Sequence, residues 1–123
     1  MQISDVRSLN DWGRNLTSLF NGEVPFHVGS SLQRPDFRDV DVRLILADGD
    51  YARLATMVNL HRLSHVVSMW GTAVTGLPID FQVQQMTGAN LKYDGPRNAL
   101  GIHEWDQDHD STQPRIDPES NPE

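Results

Sequence analysis

The sequence contains no cysteine, a single lysine (Lys92) and no long run of apolar residues. Without cysteine the chain forms neither disulfides nor thiolate zinc sites. A membrane-spanning helix needs about 18 or more consecutive apolar residues, so none is predicted, and residues 1–5 lack the features of a signal peptide. We therefore expect a cytoplasmic protein that makes no contact with a membrane.

The net charge of −7 is concentrated at one end of the chain. Residues 104–123 carry seven acidic residues and one arginine, so they contribute −6, and the preceding residues contribute −1. The same segment is rich in proline, a composition typical of chains that do not fold. We predict one folded domain over residues 1–103 and an acidic, disordered tail over residues 104–123. Neither part has the clustered basic residues of a tight nucleic-acid binder, which disfavours a long polynucleotide as partner.

Acidic residues within two apolar segments are the most informative feature. Asp39 and Asp41 alternate with valines in one segment, and Asp80 lies between Ile79 and Phe81 in another. Because successive side chains of a strand point to opposite faces, Asp39 and Asp41 share a face, roughly 6.5 Å apart. Carboxylates at this spacing can bridge divalent cations, and hard cations such as Mg²⁺ or Mn²⁺ prefer oxygen ligands. The alternative is an acidic pair on a solvated strand face.

A Gly-Ser pair stands before the first acidic strand. Gly29 and Ser30 follow the strand-like residues 24–28, and eight residues separate Ser30 from Asp39. With these residues the chain resembles the nucleotidyltransferase superfamily of DNA polymerase beta, in its minimal form. The family pattern is a hydrophobic residue, Gly, and Gly or Ser, then a loop, then two acids that alternate with hydrophobic residues, and later one more Asp on a strand. The resemblance covers about residues 4–84; the loop is at the short end of the usual spacing, and no helical substrate domain follows.

The resemblance implies roles for the turn and the loop. It implies that the backbone at Gly29 approaches a triphosphate closely, since glycine has no side chain to obstruct it, and that Ser30 hydrogen-bonds a phosphate oxygen. Arg34 and Arg38 lie in the loop and are candidate triphosphate contacts, because a guanidinium matches phosphate geometry. Two solvated loop arginines are an equally good interpretation.

The resemblance also implies the roles of the acids and the reaction. Asp39 and Asp41 are expected to bind both metal ions, and Asp80 to complete the catalytic metal site and help deprotonate the attacking hydroxyl. We therefore expect an Mg²⁺- or Mn²⁺-dependent enzyme that transfers a nucleoside monophosphate from an NTP to a hydroxyl acceptor and releases pyrophosphate. The acceptor stays open between a small molecule, a protein side chain and an RNA end. The alternative is a catalytically silent nucleotide- or metal-binding module that acts through a protein partner, of toxin–antitoxin or phage–host type.

The hydrophobic periods predict an α/β (α+β) fold, with a small mixed sheet flanked by helices, and the resemblance implies that this order of elements forms a nucleotidyltransferase-like core. They predict a helix near residues 4–20, strands over residues 24–28 and 39–46, and a third strand from residue 79. Between the last two strands they predict one helical stretch over residues 51–74, with Asp50 as its N-cap and Gly71 as the candidate point of interruption. Beyond residue 86 the pattern weakens.

Two histidines, His61 and His65, stand one helical turn apart. Arg62 occupies the place of the glutamate in the His-Glu-x-x-His motif of zinc proteases. We therefore predict surface or partly packed histidines rather than metal ligands.

Overall fold

The computed structural model describes residues 1–34 and 37–102, which form five helices and a four-stranded mixed sheet. In chain order the elements are α1 (Ile3–Leu19), β1 (Phe26–Val28), α2 (Ser30–Gln33), β2 (Val40–Leu46), α3 (Asp48–Met57), α4 (Leu60–Thr75), β3 (Ile79–Gln85), α5 (Met86–Lys92) and β4 (Asn98–Ala99). The predicted fold class, a small mixed sheet flanked by helices, is confirmed. No helix in this described part is long and apolar enough to cross a membrane.

The strand order in the sheet is β3-β2-β1-β4. Strands β2 and β3 are parallel, and the α3–α4 segment provides the crossover that parallel neighbours require. Strand β1 runs antiparallel to both β2 and β4. In this register Asp41 lies directly opposite Asp80, and Val28 lies opposite Asp41 on the other side. The end of β1 and the start of β3 therefore flank the same residue of β2.

One face of the sheet forms the core with α1 and α4. Strand β2 buries alternate residues, so Val42 and Leu44 are fully covered while Asp41 and Arg43 point to the other face. The ring of Phe81 on β3 packs edge-on against Trp12 of α1, with ring centroids 6.4 Å apart. These apolar contacts hold both acidic strands in place from behind.

Glycine at position 71 allows α1 and α4 to approach closely. A Cβ atom at Gly71 would lie 2.6 Å from the ring of Trp12, closer than real Cβ atoms come to their neighbours. Gly71 is buried inside α4 and does not interrupt this helix. Trp12 fills the space that a larger residue would take.

The predicted single helix over residues 51–74 is wrong. Two helices occupy this region, because α3 ends at Met57 and α4 begins at Leu60. The Asn59 side chain accepts a hydrogen bond from the Arg62 N–H at 3.0 Å, so it caps the start of α4. Helix α3 starts at Asp48, two residues before the predicted cap. Helix α5 and strand β4, where the sequence pattern is weak, were not predicted.

The proposed acidic tail over residues 104–123 lies outside the described residues. So do Pro35 and Asp36 of the loop between Ser30 and Asp39. The rest of the predicted domain, up to Ile102, belongs to the structure described above.

Candidate functional site

The turn at the end of β1 has a backbone that only glycine adopts readily. Gly29 has φ +83° and ψ −164°, a region essentially closed to residues with a side chain. A Cβ atom here would also overlap Oδ2 of Asp41. Ser30 is half-buried and begins α2 directly after the turn. The backbone at Gly29 therefore lies directly against the Asp41 carboxylate. The proposed contacts of Gly29 and Ser30 with a triphosphate stay predictions.

Asp41 and Asp80 form the centre of the candidate site. They are directly opposed on parallel strands, and their side chains are 26% and 40% exposed. Burial raises the pKa of Asp41; the Arg43 guanidinium opposes this rise, while the carboxylates of Asp80 and Asp39 add to it. Burial is thus the largest cause of the raised pKa, and the like charges of Asp80 and Asp39 are smaller contributions to it.

Arg43 lies between the two opposed carboxylates. Its Nη2 is 3.6 Å from Oδ1 of Asp41 and 3.5 Å from Oδ2 of Asp80. Its Nη1 donates to the backbone carbonyls of Asp80 at 2.6 Å and of Val42 at 3.1 Å. The backbone thus holds the guanidinium in position, where it offsets part of the repulsion between the acids.

The donor set has the chemistry of a hard-cation site. Asp41 and Asp80 present carboxylate oxygens, the ligands that Mg²⁺ and Mn²⁺ prefer, and a cation between them would relieve their repulsion. Within residues 1–34 and 37–102, no three acidic or histidine side chains are gathered into a group that can hold a metal ion. Asp39 is exposed immediately before β2. A third carboxylate ligand therefore requires that Asp39 turn toward the pair.

In the described part of the chain, the ion pairs of Asp41 and Asp80 are with Arg43 and not with either loop arginine. Arg34 is exposed at the end of α2 and lines a cavity of about 370 Å³ with Asn10 and His27, on the side of the sheet that faces α1. Arg38 is exposed at the bend that leads into Asp39. Their proposed contacts with a triphosphate stay predictions.

A buried His–Ser pair supports the turn, and the sequence analysis did not single it out. Nε2 of His27 lies 2.6 Å from Oγ of Ser31, and both residues are buried. Burial lowers the pKa of His27 to about 4, so this imidazole is neutral near pH 7. The hydrogen bond joins β1 to α2 across Gly29. The sequence carries no local signal for this pair, because the alternation of Phe26 and Val28 with His27 predicts the two apolar side chains, and not the imidazole, on the core face.

Tyr93 and Arg97 border the site from a segment in which the sequence pattern is weak. The Gly29 N–H donates to Oη of Tyr93 at 3.4 Å, and Oη donates to the carbonyl of Pro96 at 2.8 Å. The Arg97 guanidinium lies 5.8 Å from the centre of the Tyr93 ring. With Gly29 and Asp41 these side chains line a cavity of about 200 Å³. No short-range motif predicts a contact between residues 64 positions apart.

No family model, curated protein or solved structure matches this chain. We therefore infer the function of the chain from the geometry of the site.

Proposed function

We propose that this protein is a nucleotidyltransferase that moves a nucleoside monophosphate from an NTP to a hydroxyl acceptor, dependent on Mg²⁺ or Mn²⁺. The observation that carries the proposal is the direct opposition of Asp41 and Asp80 beside a turn that only glycine can form. Two carboxylates opposed in this way raise the free energy of the folded chain, and a divalent cation bound between them would offset this repulsion. We expect the protein to act in the cytoplasm, where NTPs are present.

The turn at Gly29 supplies the contacts for the triphosphate. The Gly29 N–H is held by Tyr93 through a hydrogen bond of 3.4 Å, which is long, so a phosphate oxygen can replace it. Ser30 adds a hydroxyl next to this N–H, and Arg43 adds a positive charge beside Asp41 in the same cavity. Together these groups offer hydrogen bonds and partial neutralisation for an anionic substrate.

The chemistry is a substitution at the α-phosphorus. The acceptor oxygen forms a new bond to this phosphorus, and the bond to the α–β bridging oxygen breaks, with its electron pair leaving in pyrophosphate. The carboxylate of Asp80 takes the hydroxyl proton. Asp39, Asp41 and Asp80 would hold the divalent cations, which when bound supply charge neutralisation for the triphosphate.

One contact favours the alternative function, a silent binding module that acts through a protein partner. The Arg43 guanidinium already lies 3.5–3.6 Å from both carboxylates. Because this guanidinium offsets part of the repulsion between Asp41 and Asp80, the folded chain can accommodate both carboxylates without a metal ion. A module of this type would bind an NTP without transferring any part of it.

Transfer of label from α-labelled NTPs tests the proposal. Each of the four nucleotides is incubated with the full chain and Mg²⁺ or Mn²⁺, with and without cell lysate, and pyrophosphate release is followed. We expect metal-dependent transfer that Asp80→Ala lowers at least about 100-fold, the range typical for loss of a catalytic base. Asp11→Ala, which removes an exposed carboxylate on α1, is the matched control and should leave transfer unchanged.

Two other results would redirect the proposal. NTP binding without transfer under every condition would favour the silent module. A chain that neither binds nor transfers NTP would overturn both functions.

A further inference from the structure

The opposed carboxylates are flanked by two different cavities. Asp41 lines the cavity of about 200 Å³ that includes Gly29 and Tyr93, on the side of β1. Asp80 lines a larger groove of about 610 Å³ that follows the outer edge of β3. Strand β3 is at the end of the sheet, so no other strand among residues 1–34 and 37–102 closes this groove. Within the proposed reaction, the acid pair thus lies between two separate spaces.

The groove at the β3 edge is lined by groups that form hydrogen bonds. Its polar lining consists of Tyr51, His61, Ser64, His65, Ser68 and Gln82, in addition to Asp80. None of the described residues that line it is a lysine or an arginine. Its volume is within the range of about 300–1,000 Å³ that is usual for small-molecule sites.

We propose that this groove binds the acceptor of the reaction, and that the acceptor is a small, uncharged polyhydroxyl compound of the sugar or polyol class. This inference rests on the proposed function. The donor NTP then occupies the Gly29 side. Hydroxyl, imidazole and amide groups suit a ligand with several hydroxyls, because each of them both donates and accepts hydrogen bonds.

The charge of the groove argues against an RNA end. Contacts to a polynucleotide backbone depend on lysine and arginine, which neutralise the phosphates. The described lining of the groove contains no lysine or arginine, and the Arg43 guanidinium behind it is already paired with Asp41 and Asp80. The groove therefore offers no free cation to the phosphates that an RNA chain carries beside its reacting hydroxyl.

The edge of β3 is already occupied where a peptide strand would have to pair. The Phe81 N–H donates to Oγ of Ser68 at 2.8 Å, and the Ile79 N–H donates to Oγ1 of Thr72 at 3.1 Å. Ser68 in turn donates to the carbonyl of Ser64 at 2.7 Å, which fixes its hydroxyl in this role. An extended peptide that adds to a sheet needs these backbone groups. Helix α4 thus blocks strand addition beside Asp80 and leaves the side-chain-lined groove open.

The two cavities also give the reaction a direction. The acceptor oxygen approaches the α-phosphorus from the β3 side and forms the new P–O bond. The α–β bridging bond breaks, pyrophosphate leaves with its electron pair on the Gly29 side, and the hydroxyl proton passes to Asp80. Opposite placement of entering and leaving oxygens is what an in-line transfer requires.

The test combines a set of acceptor probes with a variant that fills the groove. The full chain, Mg²⁺ and α-labelled NTP are incubated separately with myo-inositol, glucose, glycerol, an RNA oligonucleotide and a peptide that contains Ser and Tyr. Ser64 is half-buried in the groove wall, so Ser64→Trp places a large ring in the groove. Met69→Trp adds the same ring at an exposed position of α4 that does not line the groove, and serves as the control.

We expect transfer to at least one polyhydroxyl probe, with a KM for that probe raised about tenfold or more in Ser64→Trp, a loss equivalent to one or more good contacts. The affinity for NTP should be unchanged, and Met69→Trp should behave as the wild type. If Ser64→Trp fails to fold, as judged by its circular dichroism melt, His65→Trp fills the same groove from an exposed position.

Several results would overturn the acceptor proposal while leaving the transferase intact. These are transfer to RNA or peptide only, transfer to a polyhydroxyl probe that both groove variants leave unchanged, and bound NTP with no transfer to any polyhydroxyl probe. Absence of NTP binding would instead overturn the proposed function itself, so the two failures are distinguishable.

Discussion

The two faces of strands β2 and β3 differ in burial and in the kind of side chain that they present. On one face Val42, Leu44 and Phe81 are almost completely buried against the helices. On the other, one residue away in each strand, Asp41 and Asp80 remain partly exposed beside two cavities. Because strand side chains alternate, one face of these strands provides apolar contacts that stabilise the fold, and the other face presents the candidate catalytic residues.

This contrast leads to a simple expectation for mutagenesis. Changes on the buried face should lower the free energy of unfolding and affect function only through folding. Changes on the acidic face should alter binding while the free energy of unfolding stays nearly constant. The following predictions test the division from the largest expected effect to the smallest.

Phe81→Ala should have the largest effect on stability. Phe81 is 1% exposed, and its removal leaves a cavity beside Trp12, so we expect a loss of about 3–5 kcal/mol in the free energy of unfolding. Gln82→Ala, the next residue on the exposed face, should change it by less than about 0.5 kcal/mol. Urea denaturation at pH 7 measures both. Equal losses would show that the faces do not differ as described.

His27→Gln should remove a pH dependence of stability. The folded pKa of His27, about 4, is below the unfolded value of 6.5, so the unfolded chain binds more protons between these values. Wild-type stability should therefore fall by up to about 3 kcal/mol as the pH falls from 6.5 to 4, and remain constant above this window. Denaturation curves at several pH values check this. His61→Gln, at an exposed histidine, should keep the wild-type slope, and an unchanged slope in His27→Gln would contradict the prediction.

Gly29→Ala should combine backbone strain with a steric conflict at the acidic face. We expect a loss of about 1–3 kcal/mol from the strain at φ +83°, together with loss of NTP binding as Asp41 is displaced. Gly22→Ala is the matched control, because Gly22 has φ +94° with no atom near the added Cβ. It should show strain alone. Calorimetric melts and NTP titrations separate the two effects, and normal binding by Gly29→Ala would argue against the site.

Asp41→Asn should leave the fold nearly unchanged and strongly weaken binding. The raised pKa of Asp41 means that ionisation of this carboxyl destabilises the folded state, so the variant should be slightly more stable at pH 7, by less than about 1 kcal/mol. This gain should vanish below the usual pKa range of aspartate, where the wild-type carboxyl is protonated. Divalent-metal-dependent NTP binding should be strongly weakened in Asp41→Asn. It should be abolished when Asp39→Asn is added. Asp11→Asn should retain binding, and unchanged binding in the double variant would remove the metal-site hypothesis.

Local signals in the sequence were sufficient for the strands that carry the acids. Alternation around Asp41 and Asp80 predicted both strands, and the buried pattern of β2 agrees with it. The break between α3 and α4 was missed, because the apolar spacing continues through it and a single cap at Asn59 decides the boundary. The segment around Tyr93 was missed because its contact with Gly29 spans 64 residues.

The sequence alone determined which residues share a face, since this follows from the alternation of side chains along each strand. It also determined that a glycine precedes the acids, at a position where the structure leaves no room for a side chain. Only the tertiary structure decided that Asp41 stands opposite Asp80, that Arg43 lies between them and that a groove runs beside β3. These features depend on strand register and on how α4 packs, which are set by contacts between residues distant in the chain.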